Sequence, residues 1–313
     1  MILPAVESAD SEMTPELSLF LSETRSDDSP LLYGESGEKA YLILNRPARC
    51  NALSLSLLEE FRRRLAALEE RSDLRVLLIT GAGNHFSSGL DLREAAAPKS
   101  VAVDISSDPF PLTAALKDSV SRNFPAGERG TRDVPPGFRM PWLVVEILLR
   151  LAAVPQVVIG AAHGGAYGGG GALLASCDIA LAEPNVRFGF PECRRGLAPT
   201  LLHPFLEGRA SRRKLYPFLL TGSAIGAAEA FRLGLVDEIT PEGECFSRAE
   251  EIADAVRTGA PERVRQAKRL FRTPDSALFE RAAEGFLRHW ESWNESSAAE
   301  GVAAFLEKRA PRW

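Results

Sequence analysis

The sequence predicts an α/β domain followed by a helical C-terminal region, and three observations support this class. Short unbroken apolar runs, typical of buried strands, alternate with stretches of helical periodicity. A glycine cluster at 164–171 lies where one apolar run gives way to a helix. Beyond residue 241 the chain is rich in Ala, Arg and Glu and has a helical pattern to its end.

Composition restricts the classes of function. The 313 residues are 45% hydrophobic and 25% charged, which is ordinary for a globular protein. A net charge of −5 lacks the basic footprint of a nucleic-acid-binding protein. The four cysteines show neither zinc-ligand spacing nor a disulfide framework. We therefore predict free thiols, no metal site and no nucleic-acid partner.

Residues 151–177 contain no Asp, Glu, Lys or Arg, and include seven glycines. An uncharged apolar run of ~18 or more residues is the usual signal of a membrane span. A lipid-exposed span must be one continuous helix, which Pro155 and the seven glycines would weaken. The first residues also lack the basic and apolar regions of a signal peptide. We predict a soluble, cytoplasmic protein that does not enter a membrane.

Local patterns predict the elements in chain order. Apolar segments 31–33 and 40–44 flank a Gly-containing turn, which predicts a β-hairpin. A capping box that begins at Ser56 opens a helix that extends to Ser72. The apolar run 76–80 predicts a buried strand.

The strand–helix alternation continues around the glycine cluster. Buried strands are predicted at 157–162 and 179–182, with a helix opening after Gly168 between them. A further helix is predicted at 141–151, with Pro141 in its first turn.

Four segments follow from these patterns. Residues 1–36 are polar and acidic and predict a loosely ordered extension. Residues 37–240 form the predicted core, and 241–313 the helical region. Within the core, 94–140 is rich in Pro, Ser and Gly, as expected of an inserted lid, a binding loop or an insertion without a role.

The glycine cluster is the first candidate site. It lacks the spacing of the nucleotide-binding glycine motifs. A strand that ends in glycines and enters a helix leaves backbone N–H groups free at the helix N-terminus, where they can stabilise a developing oxyanion. The alternative is that glycine serves only close packing of helix against sheet, and spacing alone leaves both open.

The run AAHGGAYGGGGALLASCDIALAEPNVRFGFPECRRGLAP at 161–199 resembles the enoyl-CoA hydratase/isomerase (crotonase) superfamily. NRPARCNAL at 45–53, FSSGLDLRE at 86–94, AAEAFRLGLVDEI at 227–239 and the C-terminal 300–313 match in the same order. The resemblance covers about residues 38–313 except 94–140. It implies a spiral of ββα units with a C-terminal helical oligomerisation region, and a homotrimer or hexamer.

The resemblance also implies thioester chemistry without a separate cofactor, since coenzyme A or phosphopantetheine is part of the substrate. The backbone amides of Leu90 and Gly169 would hold the thioester oxygen as an enolate forms. Ser88 and Gly168 are the neighbouring substrate contacts that the same motifs imply. Coenzyme A is polyanionic, so local cations are needed; the candidates are Arg46, Arg49 and Lys308, each of which has an ordinary surface role as its alternative.

The acid/base positions depart from the family pattern. Hydratases of the superfamily carry two glutamates, but the first position is Ala172 here, which leaves a small substrate-facing residue. The second position is intact as Glu192. A carboxyl group in an apolar pocket has a raised pKa and can move a proton. The alternative for Glu192 is a surface ion pair with Arg194 or Arg195.

A finer resemblance lies in GLAPTLLHPFL at 196–206, which is similar to methylglutaconyl-CoA-type hydratases and dehydratases. We therefore predict a lyase that hydrates a 2-enoyl thioester or dehydrates a 3-hydroxyacyl thioester. The carrier is coenzyme A or an acyl carrier protein, and the acyl chain is branched or glutaconyl-type. Within the superfamily the alternatives are a Δ3–Δ2 enoyl isomerase and a decarboxylase. From another class, the alternative is a non-catalytic acyl-thioester-binding protein.

Overall fold

The computed structural model describes residues 29–97, 101–104, 131–272 and 276–313. The strands are β1 (Leu31–Ser36), β2 (Lys39–Leu44), β3 (Val76–Gly81), β4 (Val101–Asp104), β5 (Thr131–Val134), β6 (Val157–Ala162), β7 (Gly165–Tyr167), β8 (Ile179–Ala182), β9 (Arg187–Gly189), β10 (Ile225–Gly226) and β11 (Glu238–Ile239).

The helices are α1 (Leu55–Glu69), α2 (Leu92–Ala95), α3 (Pro136–Ala153), α4 (Gly169–Ala175), α5 (His203–Leu206), α6 (Arg212–Thr221), α7 (Ala227–Leu233), α8 (Cys245–Thr258), α9 (Pro261–Arg272), α10 (Ser276–Trp293) and α11 (Ser296–Leu306). Two short 3-10 turns lie at Pro47–Arg49 and Glu192–Arg195. Among the described residues, no helix combines the length and the apolar character that crossing a bilayer requires.

Two sheets position the site. The larger has the strand order β1-β2-β3-β6-β8-β11, parallel throughout except for the β1–β2 hairpin. The smaller has the order β10-β9-β7, in which β7 and β9 are parallel. The chain passes directly from β6 into β7 of the smaller sheet, and the Gly-rich turn at Gly168 then connects β7 to α4.

The strands predicted at 76–80 and 157–162 are confirmed as β3 and β6. Their side chains are buried on both faces, as the unbroken apolar runs of the sequence require. Leu57, Phe61 and Leu65 of α1 belong to the main core. On the other face of the sheet, Ala249 and Ala253 of α8 lie in a second apolar cluster with strand residues of β3 and β6. The first helix beyond residue 241 is therefore part of the core, and the composition shift near 240 does not mark its end.

Two predicted boundaries were wrong at the N-terminal side. The predicted hairpin of 31–33 and 40–44 is confirmed, because residues 31–36 form β1 and pair with β2 along its whole length, so the predicted extension cannot reach residue 36. Residues 1–28 of the predicted extension lie outside the described residues. Helix α1 begins two residues early, because the Ser54 hydroxyl accepts a hydrogen bond from the Leu57 amide at 3.2 Å and caps the helix in place of Ser56.

The boundary of the inserted segment at residue 140 was also wrong. Helix α3 already begins at Pro136, and Pro141 lies inside it rather than in its first turn. The helix is buried along nearly its whole length, so packing outweighs the backbone hydrogen bond that Pro141 cannot donate. Residues 94–95 belong to α2, and β4 and β5 form an antiparallel pair. The remaining lid prediction, for 98–100 and 105–130, lies outside the described residues.

Candidate active site

A cavity of about 620 Å³ opens between the two Gly-containing turns, the Glu192–Arg195 turn and the last two helices. Its walls are mixed in character. The apolar wall includes Val144, Leu197, Leu201 and Leu202, and the polar wall includes Arg46, Arg49, Ser88, Arg93, Glu192, Arg195 and His289. Leu90, Gly168 and Gly169 also line it. Residues from five predicted motifs thus meet in one cavity.

The FSSGLD turn is fixed by hydrogen bonds on both sides. The Ser87 amide donates to the Gly165 carbonyl at 3.0 Å, and the Ser87 hydroxyl donates to the Asn51 carbonyl at 2.8 Å. On the far side, the Leu53 amide donates to the Gly89 carbonyl at 2.8 Å. Gly89 has φ +84, a conformation that glycine adopts without strain. Leu90 follows Gly89 in this turn. Within the described part of the chain its amide donates no hydrogen bond, so it stays available to a ligand.

The glycine cluster forms the facing turn. Gly168 has φ +49, and its amide donates to the Gly189 carbonyl at 2.8 Å. Gly169 is the first residue of α4, so its amide has no partner inside the helix. A Cβ atom on Gly89 would lie 3.3 Å from the Gly169 nitrogen, which shows that the two turns are in contact. The free amides of Leu90 and Gly169 therefore flank the same part of the cavity.

Glu192 begins the 3-10 turn that follows β9 and Pro191. Helix α11 packs against this turn closely enough that a Cβ atom on Gly301 would lie 2.2 Å from the Arg195 carbonyl carbon. The Ser297 hydroxyl also donates to the Gly196 carbonyl at 3.3 Å. The C-terminal helix thus fixes the backbone that presents the carboxyl group.

The carboxyl group of Glu192 is buried although the residue as a whole is half-buried, and its Oε2 atom has no hydrogen-bond partner among the described residues. Burial raises the pKa of Glu192 to about 7, opposed by a hydrogen bond from its own backbone and by the positive charge of Arg195. The group can therefore gain or lose a proton near neutral pH, as a general acid or base must.

The alternative of a surface ion pair for Glu192 is wrong. Arg194 points away, its Nε donating to the Thr221 carbonyl at 2.6 Å. Arg195 instead stacks its guanidinium on the Phe305 ring, 3.7 Å from the ring centroid. Its charge acts on the carboxyl group through space rather than through a contact.

The structure brings some of the predicted cations and substrate contacts to the cavity. Arg46 donates to Asp91 at 3.1 Å and is already paired, whereas Arg49 is exposed at the edge of the cavity. Ser88 is exposed and also lines the cavity. Lys308 is exposed and does not line it.

Ala172, like Lys308, is a predicted site residue that the structure does not bring to the cavity. Its methyl group is fully buried in the core within α4. The first carboxylate position of the family pattern is thus part of the apolar packing here. Sequence reasoning missed His289, which reaches the cavity from α10, because nothing in a lone histidine ninety-seven residues after Glu192 indicates that they share a site.

Comparisons with known proteins agree with this geometry. The family model for enoyl-CoA hydratase/isomerase matches residues 36–118 and 141–313. A putative enoyl-CoA hydratase/isomerase of Bacillus subtilis is 30% identical over 291 residues, covering 90% of this chain and 96% of its own. A mevalonyl-coenzyme A hydratase of Aspergillus fumigatus is 28% identical over 276 residues, covering 87% of this chain and 90% of its own.

Among solved structures, an enoyl-CoA hydratase/isomerase from Pseudoalteromonas atlantica has a TM-score of 0.71 at 24% identity, covering 91% of this chain and 99% of that chain. This likeness shows the crotonase fold. The chain belongs to the enoyl-CoA hydratase/isomerase family. It is an enzyme of the hydratase-like lyase class that acts on acyl-coenzyme A thioesters.

Proposed function

We propose that this enzyme hydrates 2-enoyl thioesters, and dehydrates 3-hydroxyacyl thioesters, with Glu192 as its single acid/base. The observation that supports this most strongly is the buried carboxyl group of Glu192, with a pKa raised to about 7, in the cavity where the free amides of Leu90 and Gly169 meet. Amides aimed at a developing oxyanion are typically worth about 2.7–4 kcal/mol each.

In the hydration direction, the Glu192 carboxylate takes a proton from water as the water oxygen bonds to Cβ of the acyl chain. The C=C electron pair moves toward the thioester oxygen, which becomes an enolate held by the two amides. Glu192 then returns the proton to Cα, the enolate reverts to a thioester and the carboxylate is restored. Dehydration is the reverse sequence.

A single carboxyl group requires that both transfers occur on one face of the substrate. The hydroxyl and the proton are therefore added syn. The buried Ala172 offers no second carboxylate for activation of water, so Glu192 must serve both carbon atoms.

We further propose a branched or glutaconyl-type acyl chain. The segment 196–206 supports this through Leu197, Leu201 and Leu202, which give the cavity an apolar wall against which the branches of an acyl chain can pack. The relative named for mevalonyl-coenzyme A points the same way.

The thioester carrier is coenzyme A or an acyl carrier protein, and we propose no cofactor beyond it. The exposed Arg49 and Arg93 at the cavity edge suit the phosphates that both carriers possess. We also propose a homotrimer or hexamer. Leu270 and Phe271 of α9 are 78% and 80% exposed, which is typical of a surface covered by another subunit.

The test is Glu192→Gln, which keeps the size of the side chain and removes its acid/base function. The matched control is Glu94→Gln, which lines the same cavity and can still accept the hydrogen bond that Glu94 receives from the Leu55 amide. We expect loss of roughly 10²–10⁴-fold in kcat for Glu192→Gln, with Glu94→Gln near wild type.

Mass spectrometry of the products separates hydration from its rivals. With 2-enoyl-CoA, gain of one water supports the proposal. A shifted double bond at unchanged mass would instead assign the isomerase, and loss of carbon dioxide the decarboxylase. Near wild-type turnover by Glu192→Gln would refute the role of Glu192.

A further inference from the structure

His289 is a buried polar side chain in the wall of the cavity. It is 3% exposed, and neither ring nitrogen has a hydrogen-bond partner among the described residues. The backbone of Ala198 is close enough to raise the pKa of the ring although it does not meet hydrogen-bonding geometry, and the Trp293 ring lies 6.2 Å away between centroids. An imidazole is thus held in place by packing, with its polar atoms unsatisfied.

Such an arrangement is unfavourable unless a ligand completes it. Buried polar groups in native proteins are nearly always hydrogen-bonded, and an orphaned one is best explained by a missing partner. His289 carries one donor and one acceptor when neutral. Burial lowers its pKa to about 4, so the neutral ring is the form present at physiological pH. The missing partner therefore belongs to the molecule that fills the cavity.

The position of His289 indicates which part of that molecule it meets. The neighbouring wall is formed by the apolar side chains of Leu197, Leu201 and Leu202. The segment that carries these leucines packs on α10, since the Ala198 amide donates to the Ser292 hydroxyl at 3.1 Å and the Thr200 hydroxyl donates to the Gly285 carbonyl at 2.9 Å. The ring of His289 therefore belongs to the part of the cavity wall that α10 forms with this leucine-bearing segment.

We propose that His289 is a specificity-determining residue that hydrogen-bonds to an oxygen substituent on the acyl chain, beyond the two reacting carbons. The proposal rests on the proposed function, since it assumes that a 2-enoyl or 3-hydroxyacyl thioester fills the cavity. A carboxylate or carbonyl would accept from the ring, and a hydroxyl would satisfy either nitrogen. A hydrocarbon chain would leave both nitrogens unsatisfied, which selects against it.

The experiment compares three 2-enoyl-CoA substrates of equal chain length, whose last carbon is a methyl, a hydroxymethyl or a carboxylate. In wild type, at least one oxygen-terminated chain is expected to have the higher kcat/KM. His289→Phe keeps a planar ring and removes both nitrogens. It should reduce the ratio of kcat/KM, oxygen-terminated over methyl-terminated, by about tenfold. The difference in kcat/KM between the hydroxymethyl and the carboxylate substrate shows whether the substituent is a hydroxyl or a carboxylate.

Two further variants make the result specific. His289→Asn keeps a donor and an acceptor and should retain part of the preference. His203→Gln changes a histidine on α5 that does not line the cavity and should leave the ratio unchanged. The thermal melting temperature of each variant checks that it folds.

The outcomes separate this inference from the proposed function. If wild type hydrates none of the three chains, the proposed function fails. If it hydrates the methyl-terminated chain as well as the others, or if His289→Phe preserves the preference, hydration stands and the role of His289 is wrong. Should His289→Phe not fold, a partial loss of the preference in His289→Asn that is absent in His203→Gln supports the role of His289, and an undiminished preference in His289→Asn refutes it.

Discussion

The Oε1 atom of Glu192 lies 3.3 Å from the point that a Cβ atom on Gly168 would occupy. Gly168 has φ +49 and immediately precedes α4, whose first amide belongs to Gly169. One glycine therefore makes room for the proposed acid/base and also sets the direction of a proposed oxyanion donor. The two functions are coupled through a single backbone position.

Replacing Gly168 by alanine should impair both at once. A side chain at this φ is strained, and the added methyl group would press on the Glu192 carboxyl group. A misplacement of about 1 Å costs roughly 10²-fold in rate, so we expect kcat to fall by about that factor in steady-state hydration assays.

The matched control for Gly168→Ala is Gly226→Ala. Gly226 has an ordinary extended conformation and nothing within 4 Å of its would-be Cβ atom. The Gly226→Ala substitution should therefore leave kcat unchanged. Equal losses in the two variants would show that the effect is general destabilisation rather than a local one.

The raised pKa of Glu192 predicts a pH dependence of catalysis. In either direction of the proposed reaction the carboxylate is the form that begins the cycle. The kcat/KM value should therefore fall about tenfold per pH unit below a midpoint near 7, the pKa of the free enzyme's carboxyl group. A pH series of kcat/KM measures this fall, which is the acidic limb of the pH profile. The residual activity of Glu192→Gln is the control, because it should lack this limb. A flat wild-type profile between pH 5 and 8 would contradict the assignment.

Arg195 should set the position of that limb. Its positive charge stabilises the Glu192 carboxylate, so its removal raises the pKa of Glu192 further. Arg195→Gln should move the limb of the kcat/KM profile to higher pH, and Arg195→Lys should largely preserve it. The effect at pH 7 is a loss of kcat/KM that is recovered at higher pH.

Arg194→Gln is the control for Arg195, because Arg194 is hydrogen-bonded to Thr221 and has no effect on the pKa of Glu192. Its profile should match wild type. If both arginine variants shift the limb equally, the charge at 195 is not the cause.

Much of the fold followed from local pattern, since strands such as Val157–Ala162 are encoded by unbroken apolar runs. The turns that carry Leu90, Gly169 and Glu192 were identified through short motifs. His289 was not, because its role depends on α10 packing beside the segment at Ala198, a contact between residues far apart in sequence. Glu146 is ion-paired with Arg150, four residues later on the same helix, at 2.9 Å. Its burial was not predicted, because it depends on the packing of the whole of α3 inside the protein rather than on this local pair.

The burial of Glu192 also predicts a pH-dependent cost to stability. Its pKa in the folded protein is about 7, above the ordinary value of 4.5, so the folded state holds the proton over this range while the unfolded state loses it. The free energy of unfolding, as far as it depends on Glu192, is highest below about pH 4.5 and declines as the pH rises toward 7. Glu192→Gln never carries the charge and should therefore be more stable than wild type at pH 8, by up to roughly 3 kcal/mol.

Urea or thermal unfolding of both proteins at pH 5 and pH 8 measures this difference. The advantage of Glu192→Gln should be small at pH 5 and larger at pH 8. Glu284→Gln removes a carboxylate from the exposed face of α10 and should show no such dependence. A constant difference between wild type and Glu192→Gln at both pH values would mean that the carboxyl group is not desolvated in the folded enzyme. The cavity would then have to admit water to Glu192 before substrate binds.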